Sequence, residues 1–284
     1  MLLTEDKQLI FNMDLFSLKG KNIVITGALG LLGKEHVKAI AMAGGNPIMI
    51  DLDNKELEEF GKSISKLYKV DCKGYEVDIT DEKSVKENSK LLIEKFSKLD
   101  GLINNAARNP KVEDSGINFS RLENFLVETW EADISVNLKG SFLCCKYYGH
   151  IISKNPEGGS IINISSDLGI IAPNQNLYKK DLIDEEKQSV KPITYSVSKH
   201  GIIGMTKYLS TYWSNKNVRS NAICPGGVYN NQPIEFVNSI NKLIPLGRMA
   251  NKDEYQGLII FLLSRASSYI NGAIISADGG RSAW

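Results

Sequence analysis

The sequence predicts an α/β fold: a doubly wound parallel sheet of about seven strands with helices on both faces. Three observations carry this. Short apolar runs alternate with amphipathic runs along most of the chain. Most strand candidates carry consecutive apolar residues rather than one at every second position, as in strands covered on both sides. The first of them, 22–26, ends in a glycine-rich turn that opens a helix, as in a Rossmann-type unit.

The elements follow in order. Strand 22–26 leads into a helix over 32–43, stopped by Gly44 and Gly45. Strand 47–51 precedes a charged helix from Lys55, and strand 75–78 precedes one that starts at Thr80-Asp81-Glu82. Strand 99–104 comes next, then a long helix over 130–154 and strand 160–165. A helix over 195–215 leads to strand 218–224, and a helix-and-strand region over 251–277 ends in strand 273–277. Two polar, proline-containing stretches, 173–192 and 228–247, read as loops around a substrate. Residues 1–17 read as an N-terminal arm and 18–284 as one domain.

At 284 residues the chain can bury a full core, and its apolar (42%) and charged (24%) fractions are those of an ordinary globule. A net charge of +1 gives no field for nucleic acid or an anionic membrane surface. The longest apolar run, Leu258 to Leu263, is too short for a membrane span, and the acidic N-terminus lacks the charge pattern of a signal peptide. A cytoplasmic location is expected. The four cysteines have no paired spacing and are expected to be free thiols. His36, His150 and His200 lie far apart and suggest no metal site.

In Thr26-Gly27-Ala-Leu-Gly30-Leu-Leu32-Gly33 the glycines let backbone approach a pyrophosphate, whose charge the helix N-terminus meets. Asp51 closes the next strand, 24 positions after Gly27. A carboxylate there can accept from both ribose hydroxyls of NAD and would repel the 2′-phosphate of NADP. NAD is therefore the expected cofactor, ahead of NADP. Asp78, at the end of the third strand, can accept from the adenine amino group. A turn role for Asp51 and a helix cap for Asp78 are the plainer readings.

Tyr195 and Lys199 lie one helical turn apart, so the ammonium favours the phenolate of a residue whose ordinary pKa is near 10. Such a tyrosine can take a proton from an alcohol or give one to a carbonyl. Ser166, after an apolar run, is a second group able to hold that oxygen. Each piece alone is common; the combination points to hydride transfer with a nicotinamide cofactor.

From about Leu18 to Gly280 the chain resembles the classical short-chain dehydrogenase/reductases. The matching pieces are Thr26-Gly27…Gly33, Asp78, Asn104-Asn105-Ala106, Asn137, Ile162-Asn-Ile-Ser-Ser166, Tyr195…Lys199, Pro225-Gly226 and Asp278-Gly279-Gly280. The resemblance implies a tetrad of Asn137, Ser166, Tyr195 and Lys199. In it Lys199 also binds the nicotinamide ribose and Asn137 supports a proton relay. It further implies cofactor contacts at Gly30, Leu32, Ile79, Asn105, Pro225 and Val228. A homodimer or homotetramer is the family expectation.

The sequence departs from the family in four places. Leu31 stands where the family usually has glycine, and Ala107 where the Asn-Asn-Ala turn usually ends in glycine. Asn230 replaces a usual threonine. The family places its serine and tyrosine closer together; here they stand 29 positions apart, and the added charged segment, about 174–191, is expected over the active-site mouth.

Four stretches, 109–113, 118–124, 165–173 and 244–250, look like the oxidoreductases of bacterial flagellin-glycosylation and legionaminic-type loci. That likeness implies a sugar or nucleotide-sugar substrate, with Arg108 a candidate for its polar or anionic groups. Two other readings compete. A sugar-nucleotide dehydratase or epimerase would use the hydride transiently, with Asp167 as an acid. A non-catalytic dinucleotide sensor would have no need of Tyr195 beside Lys199.

Overall fold

The structure, a computed structural model, describes residues 13–109, 120–180 and 183–284. The arm residues 1–12, most of the stretch 109–113, part of 118–124 and two residues of the 174–191 segment lie outside these.

Seven parallel strands form one sheet in the order β3-β2-β1-β4-β5-β6-β7. They are β1 Asn22–Thr26, β2 Asn46–Asp51, β3 Lys73–Glu76, β4 Gly101–Asn104, β5 Gly159–Ile164, β6 Val218–Pro225 and β7 Ile274–Ala277. The expected number is met. The reason for the unbroken apolar runs is visible in β1. Ile23 and Ile25 enter the core on one face of the sheet and Val24 the core on the other. Each such fully buried side chain contributes about 1.5–3 kcal/mol.

Helices α1 Leu31–Met42, α2 Asn54–Tyr68 and α3 Glu82–Phe96 connect the first strands. Asp53 caps α2 by accepting from the Glu56 amide, and Asp81 caps α3 by accepting from Lys83 and Ser84. The long helix runs over 127–152 and is not uniform. Two π-helical segments, Ser135–Gly140 and Cys145–Gly149, interrupt its α turns. The helix Ile193–Tyr212 packs against β6.

Two expectations are corrected. The third strand ends at Glu76, where its pairing with β2 ends at Asp51, so Asp78 lies beyond it on the rim. The stretch 228–247 is not all loop. A helix, Ile234–Asn241, starts directly after Pro233 and buries Ile240 with Ile244 and Met249. Its eight residues are too few for a clear period in sequence.

The strand order reverses between β1 and β4, and a cleft opens there at the carboxyl ends of the strands. Gly27 leaves β1 and Asn105 leaves β4 at this point.

Candidate active site

The glycine-rich turn is held by steric need at two positions. Gly27 has φ +61°, and a Cβ there would lie 2.7 Å from the Ala106 Cα. A Cβ on Gly33 would lie 2.0 Å from the Gly27 carbonyl oxygen. Gly33 thus serves helix–turn packing and does not face the cleft. Gly30 is different: its φ is −67°, and an added Cβ would meet only the Gly27 oxygen, at 3.2 Å. Leu31 projects its half-exposed side chain at the cleft, so the turn keeps its path despite the missing glycine.

Asn105 ties this turn to β4. Its amide nitrogen donates to the Thr26 and Gly27 carbonyls at 3.0 and 2.9 Å, and Thr26 Oγ1 accepts from the Asn105 and Ala106 amides. Asp51 accepts from the Leu29 amide at 2.8 Å and from the Leu52 amide at 2.8 Å. It thereby braces the turn and still faces the cleft, since a carboxylate can accept about four bonds. Asp78 accepts from both the Thr80 amide and hydroxyl, while Asp81 is the helix cap.

These residues line one end of a cavity of about 880 Å³. Gly27, Gly30, Leu32, Asp51, Asp78, Ile79 and Asn105 border that end, and Pro225 and Val228 also line the cavity. Ser166, Tyr195 and Lys199 border the other end. The size, the backbone approach at Gly27 and the carboxylate at Asp51 fit a dinucleotide lying along the strand ends.

At the far end Lys199 is buried, and its Nζ donates to the Ile164 carbonyl at 2.9 Å, 5.8 Å from the Tyr195 ring centre. Burial pushes the Lys199 ammonium down to about 8; nearby Cys224 opposes this and Lys191 adds to it. Burial also raises the Tyr195 hydroxyl above its ordinary value. A hydrogen bond with Ser166 pulls it back, and Asp167 raises it further. The lowering expected from Lys199 is not among these effects, and burial sets the direction.

Ser165 turns away and donates to the Lys199 carbonyl, so Ser166 is the serine at Tyr195. Its hydroxyl donates to the Asp167 carboxylate at 2.7 Å. The other Asp167 oxygen accepts from Arg281 Nη1 at 2.6 Å. Both members of this ion pair are buried, and both reach the cavity wall. Arg281 is delivered by the terminal Asp278-Gly279-Gly280 turn. Gly279 and Gly280 take φ values of +67° and +90°, and Asp278 accepts from the Gly280 and Ser282 amides.

Asn137 is buried in the first π segment and does not face the cavity. Its side chain accepts from the Arg108 amide and donates to the Arg108 carbonyl at 3.0 Å. A π segment here, where the helix passes the site, is a frequent device at functional positions. The Arg108 side chain is not at the cavity. Its guanidinium pairs with buried Asp133, which also accepts from Thr194 at 2.6 Å. The expectation of Arg108 as a substrate cation is corrected accordingly: a buried carboxylate claims it first.

The 174–191 segment does border the cavity. Tyr178 packs on Phe236 with ring centres 5.9 Å apart, and Lys191 lies over the Tyr195 ring. Sequence reasoning missed Lys191, Arg281 and Asp167 as a set. Only the position of Asp167 next to Ser166 could have hinted at it.

A family model described as "short chain dehydrogenase" matches residues 21–179, and one described as "Enoyl-(Acyl carrier protein) reductase" matches 183–282. The chain belongs to the short-chain dehydrogenase/reductase family. It is similar to 3-oxoacyl-[acyl-carrier-protein] reductase FabG of Thermotoga maritima, with 33% identity over 93% of this chain and 98% of that one. It is also similar to 2-dehydro-3-deoxy-D-gluconate 5-dehydrogenase of Bacillus subtilis, with 31% identity over 94% and 96%. Among solved structures, a short-chain alcohol dehydrogenase from Sinorhizobium meliloti 1021, titled as putative, matches with a TM-score of 0.81 and 27% identity, over 95% and 99% of the two chains.

As a member of this family the protein is an oxidoreductase that binds an NAD(P) cofactor. The four cysteines are free and buried. Among the described residues no helix is long and apolar enough to cross a membrane, and no cluster of side chains could hold a metal ion.

Proposed function

We propose that the protein interconverts an alcohol and a ketone on a sugar or polyol with NAD(H). The observation that carries this reading is one cavity joining Asp51 at one end to Tyr195, Ser166 and Lys199 at the other. Asp51 would hold the adenosine ribose, the turn at Gly27–Leu32 the pyrophosphate, and Asp78 and Ile79 the adenine side. Asn105, Pro225, Val228 and Lys199 would hold the nicotinamide half. When bound, the nicotinamide ring takes up or returns the hydride.

The chain's own residues move the proton. The Tyr195 hydroxyl gives it to, or takes it from, the substrate oxygen. The Ser166 hydroxyl has one hydrogen, which rests on Asp167 and turns to the Tyr195 or substrate oxygen when negative charge develops there. Lys199 supplies positive charge beside the developing phenolate, and Asn137, held by the Arg108 backbone, is the relay's last group. The Arg281 pairing keeps Asp167 from serving as a free acid, which disfavours the dehydratase reading.

A carbohydrate substrate is supported by the sugar-acid and polyol dehydrogenases among the relatives, and a glycan role by the sequence stretches 165–173 and 244–250 read above. On this reading the reaction serves the synthesis of a bacterial surface glycan. The test is NADH absorbance against a panel of hexoses, amino sugars, sugar acids, sugar phosphates and nucleotide sugars, with NAD and NADP in parallel. Net NADH formation on a carbohydrate is expected. Product formation without net NADH would favour the dehydratase or epimerase, and binding without turnover the sensor.

A further inference from the structure

Lys191 presents a cation to the reacting position. Its Nζ lies 3.9 Å from the centre of the Tyr195 ring, closer than that of Lys199 at 5.8 Å. It donates to the neutral side-chain oxygen of Asn109 at 3.0 Å. An ammonium has three donors, so two remain for a ligand. The side chain is also placed from behind. The Lys191 amide donates to Gln175 Oε1 at 2.8 Å and the Val190 amide to Ser120 Oγ at 3.0 Å. The end of the inserted segment is thereby fixed against the cavity.

The nearby carboxylates are committed elsewhere. Asp167 is paired with Arg281 and Asp133 with Arg108. Among the described residues no carboxylate lies within ion-pair distance of Lys191. Burial pushes its ammonium down to about 8, against the more distant pull of Asp167 and Asp133. A half-buried cation with spare donors and no counter-charge is costly unless a ligand supplies one. The adjacent helix Ile193–Tyr212 starts without a side-chain cap, which adds to the positive field at this end of the cavity.

We propose that Lys191 receives an anionic group of the substrate, a carboxylate or a phosphate monoester, so that the enzyme acts on an acidic sugar or polyol. Because the ammonium rests on the very ring whose hydroxyl exchanges the proton, the acid group sits close to the reacting carbon. It is not at the far end of a long substrate. The proposal deepens the carbohydrate reading above and rests on it.

The experiment uses the full chain and three matched probes: D-glucitol, D-gluconate and D-glucitol 6-phosphate. For each, kcat/KM with NAD is measured in the wild type, Lys191→Met and Lys191→Arg. The wild type should favour one acidic probe over D-glucitol. Lys191→Met should lower that preference at least tenfold, mainly through KM, and Lys191→Arg should restore much of it. Preference for D-gluconate identifies a sugar acid, and preference for the phosphate a sugar phosphate.

Calorimetric binding of inorganic phosphate and of malonate to the wild type and Lys191→Met, with NADH present, reads the site without turnover. If no probe is turned over yet Lys191→Met loses at least tenfold in anion affinity, the anion site stands, these three compounds are excluded as substrates, and the carbohydrate reading fails only if the full panel is also inert. A preference for D-glucitol in the wild type, or an acid preference or anion affinity unchanged in Lys191→Met, overturns the proposal.

Discussion

Arg281 Nη1 lies 2.6 Å from Asp167 Oδ2, a buried ion pair between residues 114 positions apart. It joins the last turn of the chain to the residue beside Ser166. Asp167 in turn takes the Ser166 hydrogen at 2.7 Å, so the orientation of the serine depends on a residue outside the family tetrad.

Removing one partner of such a pair leaves a buried charge exposed to no counter-ion. Arg281→Met is expected to cost about 3–5 kcal/mol of stability in urea unfolding. The double variant Asp167→Asn with Arg281→Met should recover part of this, because the carboxylate is gone as well. If the single and double variants are equally destabilised, the pair is not coupled as described.

The two ends of the site were not equally legible in the sequence. The sheet was readable because consecutive apolar residues, Ile23–Ile25 in β1, Ile48–Ile50 in β2 and Ile161–Ile162 in β5, are buried on both faces. Ser166, Tyr195 and Lys199 were readable because their spacing is local or motif-bound. Arg281 and Asp167 were not, since nothing local links positions 114 apart. Arg108 was misplaced because its partner, Asp133, is 25 positions away on the long helix. Lys191 was hidden in a polar segment without periodicity, where one lysine looks like any other.

The glycines of the turn should separate by variant. Gly33→Ala places a methyl 2.0 Å from the Gly27 oxygen and is expected to abolish NADH binding or folding. Gly30→Ala meets its nearest atom at 3.2 Å with an ordinary φ, and should bind NADH within about threefold of wild type. NADH fluorescence titration and thermal unfolding of both variants check this. Equal effects would mean that the packing of α1 on the turn is not what Gly33 serves.

Asp51 sets cofactor choice in this account. Asp51→Ser should lower the ratio of NAD to NADP efficiency at least tenfold, the equivalent of about 1.4 kcal/mol. Because Asp51 also accepts from the Leu29 amide, some loss with both cofactors is expected. A wild type that prefers NADP, or a ratio unmoved by the substitution, would contradict the role.

His36 gives the acid limb of stability. It is fully buried on α1, and burial drives its pKa from 6.5 down to about 4, against the raising effects of Glu35 and Asn105. The unfolded chain therefore binds a proton that the folded one refuses. Stability falls as pH drops from about 6.5 toward about 4, by on the order of 3 kcal/mol for this group. Urea unfolding from pH 7 to pH 4 should show a shallower loss in His36→Leu than in wild type. Parallel curves would remove His36 from the account.

In the proposed reaction Tyr195 exchanges the proton with the substrate oxygen. The most direct measurement of this role is single-turnover NADH formation on the best carbohydrate found, in wild type and in Tyr195→Phe, with NADH affinity measured on both. The rate should fall at least about a hundredfold in Tyr195→Phe with cofactor affinity retained. A Tyr195→Phe protein that turns over as fast as wild type would contradict this role.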